Sequence, residues 1–404
     1  MTADAAPAAV PAGIRRGSRY FPELESLRGI AIALVFTFHA DGALLFPFLN
    51  REGSSPPPWL AFLRAGHTGV TLFFVLSAFL LGLPFLEASY GGRPVSRRRF
   101  YERRALRILP LYYCAVVAAA ILTAKSTGDL WRGVPYLFFL ESKPNLLTPL
   151  PPWSNVWWSL ATEIQFYAVL PIVALTFGRS RAVTLALLGL YGTAYTLLAR
   201  GAVPVLEPWF VAPSVLGRGP VFLFGLLAAW LWLRHGEALR RRLEATRWLA
   251  MGGGDALLLL VLLPLGLLLS WATWHGFMPL ELSRLYVWHV PEGLLWTLVV
   301  LIVLLVPLRA KALLSNPVLA RLGILSYSIY VLHLPLFHYS LRAWRSAFPQ
   351  AGLGWNPSTA TWFVLAVALC VALASVTYRW IERPFLVRKA RLEIGEPVAR
   401  ARAA

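Results

Sequence analysis

Arg28 and His39 stand eleven residues apart in a stretch, Leu27-Arg28-Gly29-Ile30-Ala31-Ile32-Ala33-Leu34-Val35-Phe36-Thr37-Phe38-His39, whose other members are mostly apolar. On an α-helix that spacing gives about 16–17 Å of rise and roughly three turns plus 20°. The two side chains therefore share one face, about half a bilayer apart. An ionisable group inside an apolar helix is expensive and marks function by default. An imidazole that is neutral near pH 7 can take a proton from a hydroxyl, and a guanidinium can hold phosphate oxygens. The alternative is a snorkelling interfacial arginine and a histidine hydrogen-bonded between helices.

Three further constellations could carry chemistry. In Arg97-Arg98-Arg99-Phe100-Tyr101-Glu102-Arg103-Arg104-Ala105-Leu106-Arg107, residues Arg103 and Arg107 lie four apart with Arg104 beside them. On a helix entering a membrane this is either a diphosphate clamp or an anchor on the cytoplasmic surface. In Trp157-Trp158-Ser159-Leu160-Ala161-Thr162-Glu163-Ile164-Gln165-Phe166-Tyr167, the residues Ser159, Glu163 and Tyr167 recur every four positions. They make a polar stripe on an apolar helix. A carboxylate there must be paired or neutral: a histidine partner would suit acid–base work, an arginine partner a structural role. Finally, Tyr327, Tyr330 and His333 are spaced by three, so His333 is either a second titrating group or an inter-helix hydrogen bonder. His67, His235, His275, His289 and His338 fall near the ends of apolar runs and read as ordinary. No histidine–cysteine spacing suggests a metal site, and Cys114 and Cys370 both sit inside apolar runs as small hydrophobes.

The elements that must position these residues follow from composition. Of the 404 residues 58% are hydrophobic and 14% charged, well below the ~25% charged of soluble domains. This composition excludes a string of soluble domains. A helix needs about 20 mostly apolar residues to cross a bilayer, and ten stretches qualify: roughly 29–49, 68–86, 105–124, 157–177, 182–199, 216–233, 253–271, 289–307, 322–340 and 360–380. The polar start of 157–177 makes it the least regular of them. The sequence thus predicts an all-α polytopic membrane protein of about ten transmembrane helices. Residues 1–26 read as a cytoplasmic N-terminal tail, partly disordered, 27–387 as one transmembrane domain, and 388–404 as a basic tail near lipid head groups. The connectors between these stretches are too short for a soluble domain to be expected among them.

The net charge of +19 belongs to the membrane surface rather than to nucleic acid, because its arginines gather at one set of span ends. Arg93 to Arg107, Arg234 to Arg247 and the C-terminal cluster from Arg379 onward lie on that side. The alternate ends carry only a few, among them Arg51, Arg64, Arg284, Arg342 and Arg345. With an even number of crossings, both termini are expected in the cytoplasm.

These residues, in this order, resemble the membrane-bound acyltransferase-3 family of bacterial O-acyltransferases over about residues 20–388. The resemblance runs through Leu27-Arg28-Gly29 and His39, through Gly69-Val70 with Phe73-Phe74-Val75-Leu76-Ser77, and through Arg103-Arg104 and Arg107 with Ile108-Leu109-Pro110. It continues in Trp158-Ser159-Leu160 with Glu163 and Phe166-Tyr167, in Arg218 with Phe222-Leu223-Phe224-Gly225, in Ser326-Tyr327-Ser328-Ile329-Tyr330 with His333, and in Glu382-Arg383-Pro384-Phe385. Where relatives commonly carry Gly after the motif serine, this chain has Ala78. Where they pair two acids after Trp-Ser-Leu, it has Glu163-Ile164.

Membership would imply a multi-pass protein of the bacterial plasma membrane that takes an acyl group, most often acetyl, from cytoplasmic acyl-CoA (acetyl-CoA) as co-substrate. The group passes to a hydroxyl of a carbohydrate, macrolide or lipid-linked acceptor. The resemblance also implies that Arg28 and His39 are functional and that Arg103, Arg104 and Arg107 touch the CoA phosphates. On this reading His39 is the general base and Glu163 orients it. Ser159, Tyr167 or Tyr330 donates to the thioester oxyanion, and Trp158 and His333 complete the substrate-side candidates. The competing class is a transporter or flippase of an amphiphilic glycan or lipid. It would use the same buried polar groups without making a bond.

Overall fold

The long apolar runs become helices because a backbone in lipid has no other way to satisfy its own polar groups within one segment. The computed structural model describes residues 21–49, 64–140, 150, 152–179, 181–200, 211–274, 288–352 and 354–394. All regular structure among them is helical. Ten long helices follow one another: α1 Pro22–Leu49, α2 Thr68–Ser89, α3 Arg97–Thr123, α4 Trp158–Arg179, α5 Arg181–Ala199, α6 Val215–Glu244, α7 Gly254–Trp274, α8 His289–Leu305, α9 Pro317–Ala347 and α10 Pro357–Thr377. A last helix, α11, covers Arg383–Ile394.

Every stretch expected to span coincides with one of the ten. Among the described residues nine are long and apolar enough to cross a membrane, and α8, at 17 residues, falls just short in length. This is a multi-pass membrane protein. Several helices outrun their apolar portion: α1 begins at Pro22, inside the segment expected to be tail, and α9 extends seven residues past 340. The expected disorder of residues 1–20 and the tail beyond 394 lie outside the described residues.

The chain packs as two compact units. One comprises Met1–Asp41, Arg51–Pro94 and Thr162–Ile324; the other comprises Gly42–Asn50, Val95–Ala161 and Leu325–Ala404. Because α1, α4 and α9 run through the division, their halves belong to different units.

In the first unit α6 lies against α2 and α8, and α8 also meets α2 and α7. Such proximity needs small residues where backbones meet. Gly69 of α2 faces the Ala31 carbonyl of α1, and Gly225 of α6 faces the Val75 carbonyl of α2, so a Cβ at either position would collide with backbone. Phe222 of α6 stacks on Phe166 of α4 at 4.1 Å and lies tilted against Phe74 of α2 at 4.8 Å between ring centres. Lys311 closes on Glu23 at 2.8 Å, and Ser26 donates to the Asn316 carbonyl at 3.3 Å, fixing the start of α1 to the chain that leads into α9.

In the second unit α3 packs against α11 and against the five-residue π-helical turn Tyr378–Glu382, which also adjoins α10. Tyr112 of α3 donates to the Tyr136 carbonyl at 2.9 Å, and Trp157, fully buried, sits edge-on to Tyr112, Tyr136 and Trp153. Trp362 of α10 donates to Ser340 of α9 at 3.1 Å and packs on Phe337 at 5.6 Å. These aromatic joints supply apolar area and a satisfied polar tip together.

Candidate active site

In the first unit, α1 carries both Arg28 and His39, as the spacing requires. His39 is half-buried, and its Nδ1 lies 2.9 Å from the carbonyl of Val35, one turn earlier. A carbonyl only accepts, so Nδ1 must carry the proton and the lone pair rests on Nε2. The backbone of α1 thereby selects the tautomer and fixes the ring. Phe38 stands edge-on to His39 at 4.9 Å and to His67 at 5.6 Å, so two imidazoles flank one aromatic ring. Arg28 approaches Glu25 at 3.8 Å on the same helix.

Glu163, the carboxylate of the polar stripe, receives a hydrogen bond from Ser77 of α2 at 2.7 Å. Two of the sequence motifs thus meet here, the Phe-Phe-Val-Leu-Ser run of α2 and the Trp-Ser-Leu run of α4. Nearby on α4, Gln165 accepts from the backbone of Val215 at 2.9 Å, Thr162 donates to the Pro213 carbonyl, and Tyr167 is buried.

The second unit holds the remaining expected residues. Tyr330 donates to the Val156 carbonyl at 2.5 Å, so its contact with Ser159 at 2.7 Å must run from the serine hydroxyl to the tyrosine oxygen. Both hydroxyl protons are committed inside the protein. His333 is fully buried, with Nδ1 at 2.8 Å from the Tyr330 carbonyl and 3.1 Å from that of Ile329, between the rings of Tyr330 and Phe337. Trp158 is half-buried at the head of α4. Of the three clamp arginines, all half-buried, Arg107 makes an ion pair with Glu382 at 3.1 Å, where the Glu382 side chain is 1% exposed. Ser328 donates to the other Glu382 oxygen, Thr377 donates to Ser328 at 3.0 Å, and the Arg107 guanidinium lies 5.6 Å over the Tyr327 ring.

One cluster escaped the reading of residue types. Arg218 of α6 donates from Nη1 to Nδ1 of His289 at 2.6 Å, and the same nitrogen lies 3.0 Å from Oε2 of Glu292, one turn along α8. His289 and Glu292 are both buried. Beside them Trp296 donates to Thr68 of α2 at 2.6 Å. His289 is therefore no ordinary span-end histidine. The available signal was the lone charge in each of two apolar runs, Arg218 in 216–233 and Glu292 in 289–307. Among the described residues no group of three or more histidine, cysteine, aspartate or glutamate side chains could hold a metal ion.

The arrangement offers an imidazole with a defined basic nitrogen, a carboxylate held by a serine, and charges buried in pairs, all in a helical membrane protein. The model of an acyltransferase domain, that of the acyltransferase-3 family, matches residues 21–379. The chain belongs to the acyltransferase-3 family. The peptidoglycan O-acetyltransferase OatA of Listeria monocytogenes is 22% identical over 395 residues, which cover 92% of this chain and 56% of the relative. A Staphylococcus aureus protein named provisionally as an O-acetyltransferase is 24% identical over 399 residues, covering 91% of this chain and 57% of the relative. A shorter match, 29% over 181 residues, joins 41% of this acyltransferase-family chain to 26% of a Bacillus subtilis protein named provisionally as a peptidoglycan O-acetyltransferase. The chain thus spans little more than half the length of the relatives it matches over nearly all of its own length. No solved structure matches it.

Proposed function

We propose that this protein is a membrane O-acyltransferase that moves an acetyl group from acetyl-CoA to a hydroxyl of a glycan, with His39 as general base. The observation that carries the reading is the Nδ1 contact to Val35 at 2.9 Å, in a chain whose length is largely matched by an acyltransferase model. A histidine so tied presents Nε2 as its basic atom. In the reaction, Nε2 removes the proton of the acceptor hydroxyl as its oxygen attacks the thioester carbonyl. The carbon–sulfur bond breaks, the ester forms, and the imidazolium returns the proton to the departing thiolate. The Listeria relative's name supports a cell-wall glycan as the acceptor class. Arg103 and Arg104 are read as phosphate contacts of the donor, because guanidinium forks match phosphate oxygens, while Arg107 is already balanced by Glu382.

Transfer of labelled acetyl from acetyl-CoA to soluble glycan fragments by purified protein tests the proposal. His39→Ala is expected to lower turnover by about 100-fold or more, the typical loss of a general base, with helix content and membrane insertion unchanged. Full activity in that variant would remove the assigned base. Absence of transfer by the wild-type protein with every acyl-CoA and glycan tried would remove the activity itself.

A further inference from the structure

The second unit contains an open pocket of about 520 Å³ bordered by Ala43, Phe337, His338, Leu341, Arg342 and Arg345, with Ser346 at its edge; His338, Arg342 and Ser346 are exposed. All but Ala43 come from the last three turns of α9, where the positions 338, 342 and 345 share one face. Two guanidiniums and an imidazole therefore line one wall. The Nε and Nη2 atoms of Arg345 are buried from solvent and make no hydrogen bond among the described residues. No carboxylate among the described residues pairs with Arg342 or Arg345.

Basic residues in a last helical turn are favoured by the carbonyl end of the helix. That effect alone would direct the Arg345 donors at those carbonyls, and they are not used there. Two buried guanidinium nitrogens without a partner cost free energy on a side chain that is otherwise half-buried, and a second positive charge three residues away adds repulsion. Both costs are relieved by an anion in the cavity. The geometry points to a phosphate group, which two guanidinium forks and a serine hydroxyl can grip through several oxygens at once. The volume lies in the range of about 300–1,000 Å³ typical of small-molecule sites and exceeds what a bare phosphate needs. With Phe337 and Leu341 supplying an apolar side, the phosphate is carried on a larger, partly apolar body.

We propose that this cavity is a phosphate-ester site gripped by Arg342 and Arg345. It is independent of the chemistry assigned to His39. Two sources offer the same group, a phospholipid head group and a water-soluble phosphate ester, and the test separates them. The full chain is purified in dodecyl maltoside, a detergent without phosphate. Glycerol 1-phosphate is titrated by calorimetry in one arm, and phosphatidylglycerol retention is read by native mass spectrometry in the other. The wild-type protein is expected to hold one equivalent in at least one arm, which names the source, and Arg342→Gln with Arg345→Met should weaken that binding more than tenfold. Arg342→Gln alone, at an exposed position, guards against misfolding and should weaken it severalfold. Binding in neither arm, or equal binding by wild type and double variant, overturns the proposal. Without ligand, Arg345→Met should unfold at the same or a higher temperature, since two uncompensated buried nitrogens are removed. A lower midpoint would show that Arg345 serves the fold and not a ligand.

Discussion

Each unit buries a glutamate beside an arginine, and the two are treated differently. Glu382 in the second unit has both oxygens occupied, one by Arg107 at 3.1 Å and one by Ser328, which in turn receives Thr377. Glu292 in the first unit contacts His289 through Oε2 at 3.0 Å and is reached by the Thr68 hydroxyl, while its Oε1 is buried without a well-formed hydrogen bond among the described residues. In addition, His289 stands between Glu292 and Arg218, where the glutamate could have met the arginine directly. A closed network of this kind serves as a joint, because both carboxylate oxygens are used. An incomplete one retains the capacity to take or give a proton or to accept one more hydrogen bond. The lesson is that a buried charge in a membrane helix is a hypothesis of function whose strength depends on how fully its partners are spent.

The largest expected effect tests the closed member. Glu382→Ala leaves the half-buried Arg107 without its counter-charge, and losing one partner of a buried pair costs up to about 3–5 kcal/mol. Thermal unfolding of the purified protein should show this loss, and the remaining folded molecules should retain their transfer rate. A variant that stays stable but loses transfer would erase the distinction between the two networks. A smaller effect addresses the open member. Glu292→Gln preserves volume and removes the charge opposite Arg218 and His289. Transfer per folded molecule should fall by about tenfold, equivalent to about 1.4 kcal/mol of lost charge complementarity to Arg218, with a smaller shift in unfolding midpoint than Glu382→Ala gives. Equal midpoint shifts with unchanged turnover would make both clusters joints. The smallest effect sharpens the contrast at α3, where Arg107 is held by Glu382. Arg104→Ala should raise KM for acetyl-CoA severalfold and leave KM for the acceptor in place. Equal changes in both would recast the basic start of α3 as a membrane anchor.

The candidate site was legible in unequal measure. His39 could be found because a lone imidazole in an apolar helix is conspicuous by its cost, and Glu163 because a four-residue polar stripe breaks an apolar pattern. Arg218, His289 and Glu292 were not assembled, since each alone passes for a span-end or motif residue and 71 positions separate Arg218 from His289. Ser159 and Glu163 read as one stripe, yet they find partners in different units: Tyr330 for the first and Ser77 for the second.

By itself the amino-acid sequence determined the helices and the coaxial placement of Arg28 and His39. Helix formation in lipid depends on local hydropathy, and the angle between residues of one helix follows from its fixed pitch. Only the tertiary structure decided which charges are spent on one another. Arg107 and Glu382 lie 275 positions apart, and nothing within one turn of either foretells the meeting. Pairing is set by how the helices pack, through small residues such as Gly69 and Gly225 that let backbones approach, and packing is a property of the whole chain.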